Sequence, residues 1–599
     1  MKWIFDKKWN WLWTILLVLF GAVLSTVMIQ YLLLDSELFK KLSDVKWMIN
    51  IGCVLVVYLI NLCVTARVSL SIILSHIFFV VLGFVNYFVY LFRDNEFTFA
   101  DLRSIGTGLS VAGNYDLVLH ERGWHVIILS IVFLLCIRLV PIQFQKTAYL
   151  RLLSGQCAIL VAILLALNCH KMNTETWEQK GTYLNGYVLN FVLSARDSFV
   201  SQPDSYDVEE IKELEKNYGQ IQENPLGDTL KEQPTIIVVM NESFADLSVI
   251  GELETNAPLT PFMDSLEENT IKGYALASVF GAKTPNSEWE FLTGGSMAFL
   301  PAGTVVYQQY ISDTPTSMVS TLKNEGYTCV AMHPYYKTGW SRNLIYPSFG
   351  FDEMYFLEDF DQSQLIRKYV SDRELYRSII ERYESRGQNE NLFVMSISMQ
   401  NHGGYTTTYD NFKENYYKLG RSYTDANQYF SLIRESDDAL AEFITYFSMV
   451  DEPVEIIFFG DHQPSLNKKF YTLLNQKGLS GLTLEELENL YKVPFFIWTN
   501  YETPEEVVEI TSLNFLSTMA LERAGIDLTP YHQFMAELME VVPAINARGY
   551  YSLQKQRYLH VEDALGEEYK WISDYENLQY NSMFDKKNTS EVFFPYLEK

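Results

Sequence analysis

Two textures follow one another along the chain. Residues 11–34, 47–66, 70–92, 124–142 and 149–168 are runs of Leu, Ile, Val and Phe with few charges. Each is close to the ~20 residues an α-helix needs to cross the hydrocarbon core of a bilayer. They predict an N-terminal five-helix polytopic membrane domain over 1–170. The first run is too long for a cleaved leader, and four others follow it. From residue 233 the apolar runs shorten to TIIVVM (235–240), TCVAM (328–332), LFVMSISM (392–399), VEIIFFG (454–460) and VPFFIW (493–498). Continuous apolar stretches of this length, rich in β-branched residues, are the pattern of strands buried on both faces of a sheet. Between them, Phe430, Ile433, Leu440, Ile444 and Phe447 recur at helical spacing. Strands alternating with helices predict an α/β domain over 233–545 with helices on both faces.

Three further segments join these parts. The loop 93–123 mixes Phe97, Phe99, Leu102 and Ile105 with polar groups and glycines, as an elbow lying on the membrane surface would. Residues 171–232 read as a polar, partly helical linker, and 546–599 as a C-terminal tail rich in Tyr and charge.

Charge sharpens the division. The 599 residues carry 46 Lys and Arg against 73 Asp and Glu, a net charge of −27. Residues 1–170 sum to +4 and residues 171–599 to −31. So acidic a soluble part excludes a nucleic-acid coat, which needs clustered positive charge. Lys2, Lys7, Lys8, Arg67, Arg138, Lys146 and Arg151 mark the cytoplasmic ends of the spans. Five crossings from an internal N-terminus then place the residues after about 170 outside a cell membrane. Only Cys329 of the six cysteines falls in that part, so it folds without an internal disulfide.

Four of the apolar runs end in chemistry. TIIVVM leads into Glu242, TCVAM into His333, LFVMSISM into His402, and VEIIFFG into Asp461-His462. The C-terminal edge of an open α/β sheet is where ligands bind. A carboxylate beside an imidazole suits a divalent metal, and Glu242 offers a further oxygen. Lys283-Thr284-Pro285 follows a glycine-containing stretch, and Pro285 fits the first turn of a helix. Thr284 then sits at a helix N-terminus, which favours an anion, and a metal beside its hydroxyl would make it a nucleophile toward phosphorus. Lys283 can help hold the anion. The run is not a Walker A loop, because Ala282 interrupts the glycine–lysine order, and no formylglycine signature is present.

NESF (241–244), GAKTPNSEWEF (281–291), HPYYKTGWSRN (333–343), NHGGY (401–405) and GDHQPS (460–465), in this order behind apolar spans, resemble the lipoteichoic acid synthase family of the alkaline phosphatase/sulfatase superfamily. The resemblance implies a sulfatase-like domain with a mixed, mostly parallel sheet. It implies Mn²⁺, or another divalent metal, on Glu242, Thr284, Asp461 and His462. Thr284 is then the nucleophile, and His402, Trp340, Arg342 and Lys283 line the substrate pocket, with Arg342 forking onto a phosphate. The implied reaction moves glycerol phosphate from the donor lipid phosphatidylglycerol onto a glycolipid or glycerol-phosphate polymer acceptor. A phosphoethanolamine transferase, a sulfatase-like phosphodiesterase and a non-catalytic envelope scaffold are the alternatives. Three positions depart from the family pattern: Tyr335 stands in place of an Asp, Met240 of a His, and Gln463 of an aromatic residue.

Overall fold

The computed structural model describes residues 9–32, 42–93, 96–99, 101–102, 119–142, 144, 147–170, 172, 181–196, 198, 200–219, 221–227, 230, 232–301, 303–311, 315–478 and 481–595. The elbow loop 93–123 lies largely outside these residues. The chain divides into two compact units: Met1–Val200 with Pro301–Thr304, and Ser201–Leu300 with Val305–Lys599.

The first unit is helical. Its long helices are α1 (Asn10–Leu32), α2 (Asp44–Thr65), α3 (Val68–Arg93), α4 (Glu121–Arg138) and α5 (Thr147–Cys169). Four of them are long and apolar enough to cross a membrane, which corrects the expected count of five. The shortfall is α4. It has 18 residues, and Glu121, Arg122 and Arg138 at its ends shorten its apolar stretch. Val18, Ala22, Val54, Tyr58 and Ile72 pack in the interior, while Leu160, Ile163, Leu164 and Leu167 of α5 are all more than half exposed. An apolar outer surface suits lipid better than water.

The second unit is built on one eight-stranded sheet. In chain order the strands of the unit are β1 (Thr235–Asn241), β2 (Thr270–Leu276), β3 (Thr328–Met332), β4 (Glu353–Tyr355), β5 (Leu365–Ile366), β6 (Tyr369–Val370), β7 (Leu392–Ile397), β8 (Val454–Gly460), β9 (Lys492–Thr499), β10 (Glu506–Ser512), β11 (Tyr550–Ser552) and β12 (Arg557–Leu559). The large sheet has the order β10-β2-β9-β8-β1-β7-β3-β4. Only β9 runs against its neighbours, so the sheet is mixed and mostly parallel. Strands β1, β7 and β8 are buried along their whole length, which is why their sequences are mostly apolar. Strands β5–β6 and β11–β12 are small hairpins.

Three helices position the site. They are α6 (Thr284–Thr293), α7 (Asp372–Glu384) and α8 (Thr424–Phe447). A fourth, α9 (Gly566–Met583), belongs to the tail, and its Ile572, Tyr575 and Leu578 share an apolar cluster with Tyr218, Phe515 and Phe534.

Candidate active site

Strands β8, β1, β7 and β3 are adjacent and parallel, so their C-terminal ends form one edge. Two of those ends deliver the central cluster. Strand β1 runs into Glu242, and β8 runs through Gly460 into Asp461 and His462. Gly460 is obligatory, since an added Cβ would lie 1.9 Å from the carbonyl oxygen of Phe244. Glu242, Asp461 and His462 are buried, and each offers a ligand atom within 4.8 Å of the others.

Thr284 joins them. It is the first residue of α6, with Lys283 before it in the left-handed region (φ 71°) and Pro285 in the first turn. Its hydroxyl donates to Glu242 Oε2 at 3.3 Å. The segment around Thr284 is fastened to the loop 461–463 at two points. Gly281 N donates to Gln463 O at 3.0 Å, and Ser287 Oγ donates to Asp461 O at 2.6 Å. Gly281 has φ +68°, and a Cβ there would meet Ser465 Cβ at 2.8 Å, so only glycine fits.

The donor set fits a divalent cation. His462 Nδ1 lies 3.0 Å from Gln463 O, consistent with an N–H donated there and an Nε2 lone pair facing the carboxylates. Nε2 and Asp461 Oδ2 are 3.2 Å apart, and both are buried without a hydrogen-bond partner. Burial, and then the Glu242 carboxylate, push the Asp461 carboxyl up to about 7, while His462, the Ser243 N–H and Thr284 work the other way. Two carboxylates and a lone pair crowded together call for positive charge between them. A divalent ion there would be held by Glu242, Asp461, His462 and the Thr284 hydroxyl.

The other candidate residues take different places. His402 follows β7, is exposed, and has Nδ1 3.1 Å from the Tyr369 hydroxyl. It interacts electrostatically with Glu242 and His462. Trp340 is half-buried with φ 53°, a strained backbone for an aromatic residue. Arg342 is a correction. Its expected fork onto a phosphate is instead turned onto Glu288 Oε2, with Nη2 at 2.8 Å and Nε at 3.1 Å, while Nη1 donates to His333 Nε2 at 3.2 Å. Arg342 and Glu288 are both fully buried. Glu288 lies one turn along α6 from Thr284, so the pair anchors the nucleophile helix. His333 is kept well below its ordinary pKa, by burial and then by Arg342, and is a neutral acceptor here.

Sequence reasoning missed the layer beneath. Asn241 Nδ2 donates to Asp372 Oδ2 at 2.8 Å, Asn401 Nδ2 donates to Asn241 Oδ1 at 2.9 Å, and Ser436 Oγ donates to Asp372 Oδ2 at 2.6 Å. This buried network ties the end of β1 to the His402 loop and to α7 and α8. Arg367, also buried, donates through Nη2 to the carbonyls of Gln400 (2.9 Å) and His402 (2.6 Å). It sits in the polar run DQSQLIRKY, where no local signal marks it.

Residues 234–526 match the sulfatase family model. A provisionally assigned cyclic beta-1,2-glucan modification protein of Rhizobium meliloti is 28% identical over 429 residues, covering 70% of this chain and 65% of its own length. The lipoteichoic acid synthase of Staphylococcus saprophyticus is 26% identical over 318 residues, 51% of this chain and 47% of its own. A structure of the Streptococcus pyogenes phosphoglycerol transferase in complex with sn-glycerol-1-phosphate superposes with a TM-score of 0.54 at 19% identity, covering 66% of this chain and all of that one. The chain thus spans about two thirds or less of the length of these curated relatives. Residues 234–526 of the second unit are thus similar to sulfatases, and the unit shares its fold with the phosphoglycerol transferase structure.

Proposed function

We propose that the protein is a membrane-anchored phosphoglycerol transferase that carries glycerol phosphate from phosphatidylglycerol, through Thr284, to a cell-envelope polymer. The observation that carries this reading is the Thr284 hydroxyl at the start of α6, hydrogen-bonded to Glu242 within a buried Glu–Asp–His cluster. A hydrolase needs only water as acceptor. The names of the glycan-modifying and lipoteichoic acid-making relatives favour transfer onto a polymer.

A bound Mn²⁺ or similar ion would lower the pKa of the Thr284 hydroxyl and offset charge on the phosphoryl oxygens. The N-terminus of α6 turns the positive end of its helix dipole toward the same anion. Neutral His402, whose pKa desolvation lowers, takes the Thr284 hydroxyl proton as Oγ forms the bond to phosphorus, and gives it to the diacylglycerol oxygen as that bond breaks. Neutral His402 then takes the proton of the acceptor hydroxyl, which attacks the glycerophospho-threonine, and returns it to Thr284 Oγ as the threonine leaves. The membrane helices bring the active site to a lipid donor.

Intact-protein mass spectrometry tests the reading. The full chain with phosphatidylglycerol and Mn²⁺ should gain a glycerophosphate on Thr284 and release diacylglycerol. An adduct only with phosphatidylethanolamine would favour phosphoethanolamine transfer instead.

A further inference from the structure

An aromatic wall leads away from His402. The ring centroids of Tyr369 and His402 are 5.4 Å apart, those of Tyr335 and Tyr369 are 6.5 Å apart, and those of Tyr336 and Tyr335 are 4.9 Å apart. The three tyrosines are half-buried, so each ring keeps part of its surface open. They come from two segments: Tyr335 and Tyr336 follow β3, and Tyr369 lies on the β5–β6 hairpin. The hydrogen bond between the Tyr369 hydroxyl and His402 Nδ1 ties the wall to the residue assigned the proton transfers.

The cations around this wall are committed elsewhere. Arg342 is buried against Glu288, Arg367 holds the backbone carbonyls of Gln400 and His402, and Lys337 is paired with Glu358 at 2.9 Å. Lys368 stands 5.1 Å from the centre of the Tyr369 ring, a single charge suited to the one phosphate being transferred. A chain of glycerol phosphates carries a charge on every unit, and proteins grip such polyanions with guanidinium forks and basic grooves. This wall offers neither, and it belongs to a part of the chain with net charge −31. What it offers is a group of amphipathic rings, set at 57° and 62° to one another, with hydroxyls at their tips. That surface matches a sugar ring, which has apolar C–H faces and hydroxyls around its edge.

We propose that Tyr335, Tyr336 and Tyr369 form the acceptor subsite, and that the acceptor is an uncharged sugar ring of an envelope glycan rather than a glycerol-phosphate chain. This rests on the transferase reading above and names its acceptor. A sugar hydroxyl oxygen forms the bond to phosphorus, the bond from Thr284 Oγ to phosphorus breaks, and the sugar proton passes through His402 to Thr284 Oγ. Tyr335, which stands where the family pattern has an Asp, then helps set the acceptor class.

The test uses the full chain in phospholipid nanodiscs with phosphatidylglycerol and Mn²⁺. Transfer is measured to a neutral β-linked glucan oligosaccharide and to a glycerol-phosphate oligomer. The expected result is a kcat/KM at least tenfold higher for the glucan. Tyr335→Ala and Tyr369→Ala should raise KM for the glucan about tenfold, with a smaller change for the oligomer, and Tyr335→Phe, which keeps the ring, should restore it. A wild-type preference for the oligomer, or an equal rise in KM for both acceptors, overturns the acceptor assignment. Thermal melts of each variant exclude misfolding as the cause. The Thr284 adduct, scored without acceptor, separates the two levels: an adduct with no glucan preference overturns the acceptor alone, and no adduct overturns both.

Discussion

Two clusters of buried ionisable groups lie at either end of one helical turn of α6, and they are built on opposite principles. At the N-terminus, Glu242, Asp461 and His462 crowd together with no Lys or Arg paired to the carboxylates among the described residues, and Asp461 Oδ2 and His462 Nε2 have no hydrogen-bond partner there. One turn later, Glu288 receives two hydrogen bonds from the Arg342 guanidinium. The first cluster is short of positive charge and the second is supplied with it. Burial makes either arrangement costly, because an ion removed from water must be compensated by what surrounds it. The difference identifies their roles. A self-compensated pair holds the helix in place, and an uncompensated trio is a receptacle for a cation and for the charge that develops during reaction.

The sharpest way to break this comparison is at Thr284. Thr284→Ala removes the attacking oxygen, and diacylglycerol release should fall by ~10⁴-fold or more while the melting temperature stays within a few degrees. An active variant would remove Thr284 from the mechanism. Next comes the ion. Dialysis against a chelator should abolish release, and added Mn²⁺ should restore it. Asp461→Ala should leave metal content, measured by inductively coupled plasma mass spectrometry, far below one ion per chain. A full complement of metal in that variant would move the site elsewhere.

The paired cluster should respond in stability. Arg342→Met strands Glu288 as a buried unpaired charge, and ~3–5 kcal/mol of folding free energy should be lost in denaturant melts. Arg342→Met combined with Glu288→Met should recover most of it, since neither charge is then left alone. A double variant as unstable as the single would show that the pair does more than compensate itself.

The smallest effect concerns Glu290, the second acid on α6. Burial is the main cause that raises its carboxyl to about 7, against the hydrogen bonds from Met297 N and Ser278. The folded chain keeps this proton up to about pH 7, while the unfolded chain releases it near the ordinary 4.5. The folded state therefore binds more protons in that window, and stability falls as pH rises through it. Glu290→Gln should gain ~1–3 kcal/mol at pH 8 and little at pH 4, flattening the profile of unfolding against pH. An unchanged slope would show that Glu290 is ionised when folded.

Much of this was legible beforehand, and the pattern of success has a physical basis. The strands seen in sequence, β1, β3, β7, β8 and β9, lie in the middle of the sheet, where burial demands unbroken apolar runs. Strands β2 and β10 were not anticipated. TIKGYAL is only partly buried, and EVVEITS is largely exposed along its first half, so neither needed such a run. The ligands were legible because each directly follows a buried strand, or opens a helix beside a proline. Arg342 was placed in the substrate pocket because its motif said nothing about Glu288, 54 residues away. Asp372, Asn401 and Arg367 act through partners equally distant in sequence, and pairwise contacts of that kind leave no local periodicity to read. The fifth span was overcounted for the opposite reason: apolar content was visible, and the charged ends of α4 were given too little weight.

The spread of the cluster along the chain has one more consequence. Glu242 and Thr284 are synthesised long before Asp461 and His462, and β8 must insert beside β1 before all three ligand atoms can meet. No early fragment of the chain contains the trio. An ion held by all three would therefore be taken up only after the sheet has closed, from whatever pool surrounds the protein at that moment. Which metal filled the site would be decided by where folding finishes rather than by where translation begins.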